Sequence, residues 1–142
     1  MKANRKDAKS AKRNAMTEND LARIAVDAMI EVHRELGPGL LENSYEHCLA
    51  FELRSRGLDV KQQVNLPILY KGVQLDVGYR LDLWVESKLI IEVKSVEELH
   101  PVHWAQVLTY LKLTKNKLGL LVNFNEKLVQ EGIRRVANGL SE

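Results

Sequence analysis

The sequence has one cysteine, Cys48, few aromatic residues and no long hydrophobic run. A single cysteine excludes an internal disulfide framework, a four-cysteine zinc site and a self-contained iron–sulfur cluster. Apolar runs such as Leu118–Val122 are far shorter than the roughly 20 residues that a membrane span requires. The basic N-terminus lacks the apolar stretch of a secretory signal. These absences predict a soluble, cytoplasmic protein, and 142 residues are enough for one domain.

The formal net charge of +2 is unevenly distributed along the chain. Residues 1–15 contain six basic residues and one acidic residue, whereas the remaining 127 residues carry a net charge of −3. The basic residues are Lys2, Arg5, Lys6, Lys9, Lys12 and Arg13. Large apolar residues are absent between Met1 and Met16, which predicts a disordered tail over residues 1–16. Such a tail is either an arm that binds nucleic-acid phosphates or a solvated extension.

Hydrophobic periodicity predicts a single mixed α/β domain over residues 17–142, with the element order α-α-β-β-β-β-α-β-α. Four helices are predicted. The first begins after a capping box at Thr17, and the others begin at Leu41, at Pro101 and at Glu126. The last of them ends at Asn138. The predicted strands are Val60–Leu66, Ile68–Tyr70, Val73–Val85 with a bend near Gly78, Leu89–Lys94 and Lys117–Phe124.

Strand parity brings two carboxylates and a lysine together. Glu92 and Lys94 are two residues apart on a predicted central strand, so their side chains project from the same face. Asp82 lies on the polar face of the preceding strand. A hairpin loop with an odd number of residues pairs Val85 with Leu89, and Asp82 then lies opposite Glu92. An even loop would mix polar and apolar faces, so the sequence predicts the odd loop.

Two acidic side chains in the middle of a sheet require a compensating cation, because burying like charges side by side is costly. Lys94 can neutralise one carboxylate, and a hard divalent cation such as Mg2+ can neutralise both. The spacing by itself favours a cross-strand salt bridge on a solvated sheet face. These residues therefore leave a metal site and a salt bridge as alternatives.

Other residues are candidates for the same site. Glu42 lies in the first turn of the second helix, and Gln106 and Tyr110 are four apart on one face of the third. In isolation, Glu42 is also explained as an acid that complements the helix macrodipole, and the other two as polar edges of an amphipathic helix. His100 and His103 begin the third helix, where we interpret them as capping or surface residues rather than metal ligands.

Five strings occur in order along the chain. They are Gly39-Leu40-Leu41-Glu42-Asn43-Ser44-Tyr45, Tyr79-Arg80-Leu81-Asp82-Leu83, Ile91-Glu92-Val93-Lys94, Pro101-Val102-His103-Trp104-Ala105-Gln106 and Leu120-Leu121-Val122-Asn123-Phe124-Asn125. In this ordered set, the sequence resembles the GxxExxY protein family within the PD-(D/E)XK nuclease superfamily. The resemblance covers residues 21–140, and it implies a restriction-endonuclease-like αβββαβ core with a central mixed sheet flanked by helices.

The resemblance also implies roles for individual residues. The implied ligands of Mg2+ or Mn2+ are Asp82, Glu92, the main-chain carbonyl of Val93, and Glu42. The implied catalytic residues are Lys94, Glu92, Asp82, Gln106 and Tyr110. In such sites the lysine orients or activates the attacking water, and the glutamine and tyrosine of the third helix lie beside the metal.

Two classes of function are therefore expected. The first is a Mg2+- or Mn2+-dependent endo- or exonuclease that hydrolyses phosphodiester bonds, with DNA preferred over RNA. The second is a non-catalytic nucleic-acid-binding or assembly module that retains the fold, and a structure-selective junction resolvase is a variant of the first. The complete acidic set with Lys94 favours a nuclease. Because one domain leaves no room for a recognition domain, selectivity is expected from substrate shape, a homodimer or a partner protein.

Overall fold

The computed structural model of the protein describes residues 15–141. Its helices are α1 (Glu18–Leu36), α2 (Glu42–Ser55) and α3 (Pro101–Thr114), and its strands are β1 (Val60–Tyr70), β2 (Val73–Val85), β3 (Leu89–Lys94), β4 (Leu118–Asn123) and β5 (Ile133–Ala137). The basic residues of the predicted tail lie outside this part of the chain. Among the described helices, none has the length and apolar character needed to cross a membrane.

The five strands form one mixed sheet in the order β1-β2-β3-β4-β5. Three neighbouring pairs are antiparallel, and β3 and β4 are parallel because α3 connects them as a crossover. Val85 pairs with Leu89, which confirms the predicted odd hairpin loop between β2 and β3. The predicted restriction-endonuclease-like α/β fold, with a central mixed sheet flanked by helices, is therefore present.

The sheet separates two layers of packed side chains. On one face, α1 and α2 bury apolar residues such as Leu21, Leu49 and Leu53 against the sheet. On the other face, α3 packs its Val107 and Leu111 against the sheet in a smaller cluster. Both ends of α1 follow the sequence signals: Thr17 and Asp20 form a capping box, and Gly37 ends the helix with a φ of 69°.

The predicted terminal helix over Glu126–Asn138 is wrong. The segment contains a single 3-10 turn, Val129–Gly132, followed by strand β5. Val129, Ile133 and Val136 have helical spacing, but pairing with β4 outweighs that local preference. Gly132 permits the entry into β5, because a Cβ there would lie 2.5 Å from the main-chain oxygen of Asn123.

The two short strands predicted before residue 72 are one strand, β1. Pro67 does not break it, because β1 is an edge strand and the register with β2 shifts between Leu66 and Ile68. β2 is also continuous, and Gly78 absorbs the predicted bend with a φ of 86°. β3 ends at Lys94. The turn end of the β1–β2 hairpin therefore extends past the end of β3 and has no third strand of the described residues beside it. We call residues 68–77 the hairpin arm.

Candidate active site

The carboxylates of Asp82 and Glu92 lie where β2 and β3 separate. The register between these strands ends at Leu83 and Ile91. Beyond that pair, the backbone N–H of Asp82 donates to Oε1 of Glu92 at 2.8 Å, and the N–H of Val93 donates to Oδ2 of Asp82 at 2.9 Å. Each acid thus replaces a backbone–backbone hydrogen bond between the strands. The predicted juxtaposition of Asp82 and Glu92 is confirmed.

Glu92 is held in an environment that disfavours its charge. Its side chain is buried, with 2% of the residue exposed. Burial is the main cause that raises the pKa of Glu92 to about 9, and the charge of Asp82 adds to this effect. Lys94 acts in the opposite direction, but its effect is the smallest. Glu92 therefore holds a proton near neutral pH in the metal-free protein.

Lys94 lies on the α3 side of the sheet. Ile90 packs in the α3 cluster, whereas the odd-numbered residues of β3 pack against α1 and α2. Because side chains alternate along a strand, Glu92 and Lys94 also face α3. The pKa of His103, in the first turn of α3, is lowered by burial and then by the charge of Lys94. The lysine is thus close to the start of that helix.

Helix α3 brings Gln106 and Tyr110 to the acids. It approaches the sheet closely because β4 has a glycine at position 119, where a Cβ would lie 2.6 Å from Cγ1 of Val107. Nε2 of Gln106 donates to the hydroxyl of Tyr110 at 2.9 Å. Burial, followed by the charge of Glu92, raises the pKa of Tyr110. The tyrosine is therefore a neutral hydroxyl beside the carboxylate pair at physiological pH.

Tyr45, the last residue of the GxxExxY string, fixes the loop that precedes α2. Its hydroxyl donates to the main-chain oxygen of Gly37 at 2.5 Å and accepts from the N–H of Leu40 at 3.1 Å. Its fully buried ring stacks on Phe124, with 4.5 Å between the ring centroids. The tyrosine thus ties the Gly-Pro-Gly loop to the end of β4.

The same loop carries Glu42 to the segment that follows Lys94. The hydroxyl of Ser95 donates to the main-chain oxygen of Leu40 at 2.6 Å, and the N–H of Ser95 donates to Oε1 of Glu42 at 3.4 Å. Glu42 also acts electrostatically on His103. The charge of Glu42 raises the pKa of His103, whereas burial, Lys94 and His100 lower it and have the larger effects. Glu42 therefore lies beside the segment that follows Lys94, and its role as a metal ligand stays a prediction.

Two buried polar residues near the site were not predicted. Glu46 is 6% exposed, and burial is the main cause that raises the pKa of this residue, with the charge of Asp82 contributing. It follows Glu42 by four residues, so helical spacing was a usable signal. Asn123 is fully buried and exchanges two hydrogen bonds with the backbone of Val96, at 3.0 and 2.9 Å. It holds the chain just after Lys94.

A cleft of about 570 Å3 opens beside the site. It is lined by Val96, Glu97, Glu98, His100 and His103. The N–H of His100 donates to Nδ1 of His103 at 3.0 Å, so these histidines cap α3, as interpreted from the sequence. Because the charges of Lys94 and Glu42 act on His103, the cleft lies close to these two residues.

The donor set fits a hard divalent cation. Asp82 and Glu92 present carboxylate oxygens, which Mg2+ or Mn2+ prefers, and such a cation would displace the proton of Glu92. Within residues 15–141, however, no group of three or more His, Cys, Asp or Glu side chains is gathered closely enough to hold a metal ion. The structure thus brings Asp82 and Glu92 together as a pair, and Glu42 lies apart from that pair beside Ser95.

The predicted nucleic-acid-binding residues lie outside the described part of the chain. They are Lys2, Arg5, Lys6, Lys9, Lys12 and Arg13. The candidate site within residues 15–141 thus consists of the Asp82–Glu92 pair, Lys94, the α3 residues and Glu42.

The sheet, the crossover helix and the acid pair followed by a lysine define a restriction-endonuclease-like domain. The chain matches the family model of the PD-(D/E)XK nuclease superfamily over residues 19–136. Because this match covers most of the chain, the protein belongs to the PD-(D/E)XK nuclease superfamily. Searches among curated proteins and among solved structures gave no match.

Proposed function

We propose that the protein is a Mg2+- or Mn2+-dependent nuclease that hydrolyses phosphodiester bonds, with DNA as the preferred substrate. The observation that supports this proposal best is the contact of the half-buried Asp82 with the buried Glu92, whose pKa is raised to about 9. In a structural salt bridge the lysine would be the main influence on the pKa of Glu92, whereas here the effect of Lys94 is the smallest. A divalent cation would displace the proton of Glu92 and compensate both carboxylates.

Each residue has a defined part in this proposal. The metal would be held by Asp82, Glu92 and the main-chain carbonyl of Val93, and Glu42, which lies beside Ser95, would complete the shell through a bound water. When bound, it would stabilise charge on the phosphate and on the leaving oxygen. Lys94, on the same strand face as Glu92, orients the attacking water and assists its deprotonation. Gln106 and Tyr110 are hydrogen-bonded to each other beside the acids and orient the substrate phosphate.

The narrower assignment to the GxxExxY family is part of the proposal. In support of it, Tyr45 of that string fixes the loop that carries Glu42, so the glutamate and the tyrosine act as one structural unit. A junction resolvase and a non-catalytic nucleic-acid-binding module remain the competing functions, and the substrate panel below separates them.

The test is cleavage of nucleic acid by the full-length protein. We expect Mg2+ or Mn2+ to support cleavage of supercoiled plasmid or single-stranded DNA, and a chelator to abolish it. The panel includes single-stranded RNA and a four-way DNA junction. Selective cleavage of the junction would favour the resolvase, and binding without cleavage of any substrate would favour the non-catalytic module.

The basic tail is proposed to bind DNA phosphates. Deleting residues 1–15 is expected to weaken DNA binding and to make it less dependent on salt, because each phosphate contact contributes about 0.9 to the slope of log K against log salt. Fluorescence anisotropy with a labelled oligonucleotide at several salt concentrations measures this slope. A variant with the six basic residues replaced by glutamine should reproduce the deletion. An unchanged slope in both variants would identify the tail as a solvated extension.

A homodimer through the hairpin arm would supply the selectivity that a single domain lacks. Five large apolar residues of the arm are between 43% and 68% exposed: Leu69, Tyr70, Val73, Leu75 and Val77. Its charged residues are Lys71 and Asp76, which leave it neutral and poorly suited to phosphate. Tyr70, Val73, Leu75 and Val77 share one face of the arm, whereas Leu69 lies on the other face opposite Gln74, so a symmetric dimer would bury the four residues of the shared face.

Leu75→Lys is expected to convert this dimer to a monomer, because Leu75 lies opposite Ile68 on the apolar face of the arm. Analytical ultracentrifugation of the metal-free protein measures the change. Leu128→Lys is the matched control, since Leu128 is 56% exposed and lies outside the arm. A wild-type protein that stays monomeric at the highest concentration measured would contradict the proposed dimer.

A further inference from the structure

Gln63 connects two acidic side chains from different elements. Its Nε2 donates to Oε1 of the buried Glu46 on α2 and, at 3.1 Å, to Oδ1 of Asp82 on β2. The second oxygen of Glu46 accepts from Nε2 of Gln62 at 3.0 Å. Glu46 is therefore held by two amide donors, and one of these amides also reaches the acid pair of the site.

The backbone at Gln63 is unusual for a strand. Its φ is 52°, in the left-handed region that is costly for a residue with a Cβ, and Gln63 has no partner in the β1–β2 register. The pairs on either side, Gln62 with Leu83 and Val64 with Leu81, remain regular. Strain of this kind persists where surrounding contacts hold it, and it is common at functional sites. Here the contacts that hold it are Glu46 and Asp82.

Asp82 is consequently restrained through both of its oxygens. Oδ2 accepts from the N–H of Val93, and Oδ1 accepts from Gln63. Two donors on opposite oxygens fix the rotation of the carboxylate plane. Without Gln63, the contact with Val93 would remain, but the plane of the carboxylate could turn about that single hydrogen bond.

We infer that Gln63, anchored by Glu46, is a positioning residue that fixes the carboxylate of Asp82 for the reaction. This inference rests on the proposed function, in which Asp82 holds a divalent cation. It deepens that proposal, because it assigns a role to two residues that do not themselves reach the substrate.

Gln63→Gly tests the inference without straining the fold. Glycine adopts a φ of 52° freely, and this gain offsets much of the loss of the hydrogen bonds of Gln63, so the variant should unfold thermally close to the wild type. It should nevertheless reduce kcat and weaken Mn2+ binding by about 10- to 100-fold, the effect typical of a lost partner of a metal ligand. The KM for an oligonucleotide should change less than twofold, because Gln63 does not contact the substrate.

Lys115→Gly is the matched control. Lys115 has a φ of 59° at the C-cap of α3, at the opposite end of that helix from His103, so the same substitution relieves the same kind of backbone strain away from the site. It should leave kcat and Mn2+ affinity unchanged. A similar loss of activity in both variants would overturn the inference, since it would trace the effect to backbone flexibility.

The role of Glu46 is tested by a double-mutant cycle. Glu46→Gln keeps the size of the side chain but weakens the anchor of Gln63, so alone it should lower Mn2+ affinity. In the Gln63→Gly background it should have no further effect, because it acts through Gln63. Additive effects would contradict the proposed connection.

Failure of this inference and failure of the proposed nuclease give different results. The amide resonance of Val93 in an NMR spectrum reports its hydrogen bond to Asp82, in the absence of metal and substrate. If Gln63→Gly shifts this resonance and lowers Mn2+ affinity while the wild type cleaves no substrate, the positioning role stands and the nuclease proposal fails. An unchanged resonance with unchanged Mn2+ affinity overturns the positioning role.

Discussion

Lys94→Ala is expected to slow DNA cleavage by about 10²- to 10⁴-fold, the usual contribution of a positioned acid–base group, while Mn2+ binding persists. Lys94 faces the site from the strand that carries Glu92, but it supplies no oxygen to a cation. Its removal also deletes a nearby positive charge, so metal affinity should be equal or higher. Isothermal titration with Mn2+ and a cleavage time course measure the two effects separately.

Asp82→Asn should lose both DNA cleavage and Mn2+ binding, because the variant cannot offer a charged carboxylate to a divalent cation. Lys112→Ala is a control for the loss of a lysine, since Lys112 is exposed on α3. It should retain cleavage and Mn2+ binding. Full activity in Lys94→Ala or in Asp82→Asn would refute the assignment of this site.

Glu92→Gln is expected to make the metal-free protein more stable while it abolishes metal binding and cleavage. The buried carboxyl of Glu92 has a pKa of about 9 in the folded protein, against an ordinary value of 4.5. The folded state therefore retains a proton that the unfolded state releases between these pH values. Unfolding is favoured as the pH rises through this window, by up to about 1.4 kcal/mol per pH unit.

Glutamine cannot release that proton, so the variant lacks this loss of stability. We expect its advantage over the wild type to be small at pH 5 and to reach a few kcal/mol at pH 8. Urea unfolding in the presence of a chelator at several pH values measures the difference. Glu131→Gln is the control, since Glu131 is exposed and remote from the site. An equal dependence on pH in the wild type and Glu92→Gln would show that the proton is not held at Glu92.

The pairing of β2 with β3 at the centre of the sheet was predictable, because the alternation of polar and apolar residues in one strand matches that in the other. The alternation in β2 and the parity of Glu92 and Lys94 allowed only one hairpin register, and the structure has that register. The end of the chain was not predictable in this way. Val136 and its apolar neighbours have helical spacing, yet β4 has an unpaired edge that recruits the segment as a strand.

The parts of the site that the sequence did not reveal depend on three-dimensional detail. Gln63 contributes through a left-handed backbone conformation, which no residue type in β1 signals. Asn123 contributes because β4 ends beside the segment that follows β3, a proximity that arises from the crossover. Glu46 is an intermediate case, since its spacing from Glu42 was visible but its contact with Gln63 was not.

The hydrogen bonds that Asp82 and Glu92 accept from opposing strands affect which substitutions are expected at the site in relatives. Asp82 and Glu92 each offer an acceptor oxygen to a backbone amide, so a replacement without such an oxygen disturbs the sheet as well as the site. A lineage that abandons catalysis is therefore expected to replace these acids by asparagine or glutamine, which keep the acceptor. Lys94 carries no comparable bond to the opposing strand. Its substitution is thus the first change to seek when active and inactive members of the superfamily are compared.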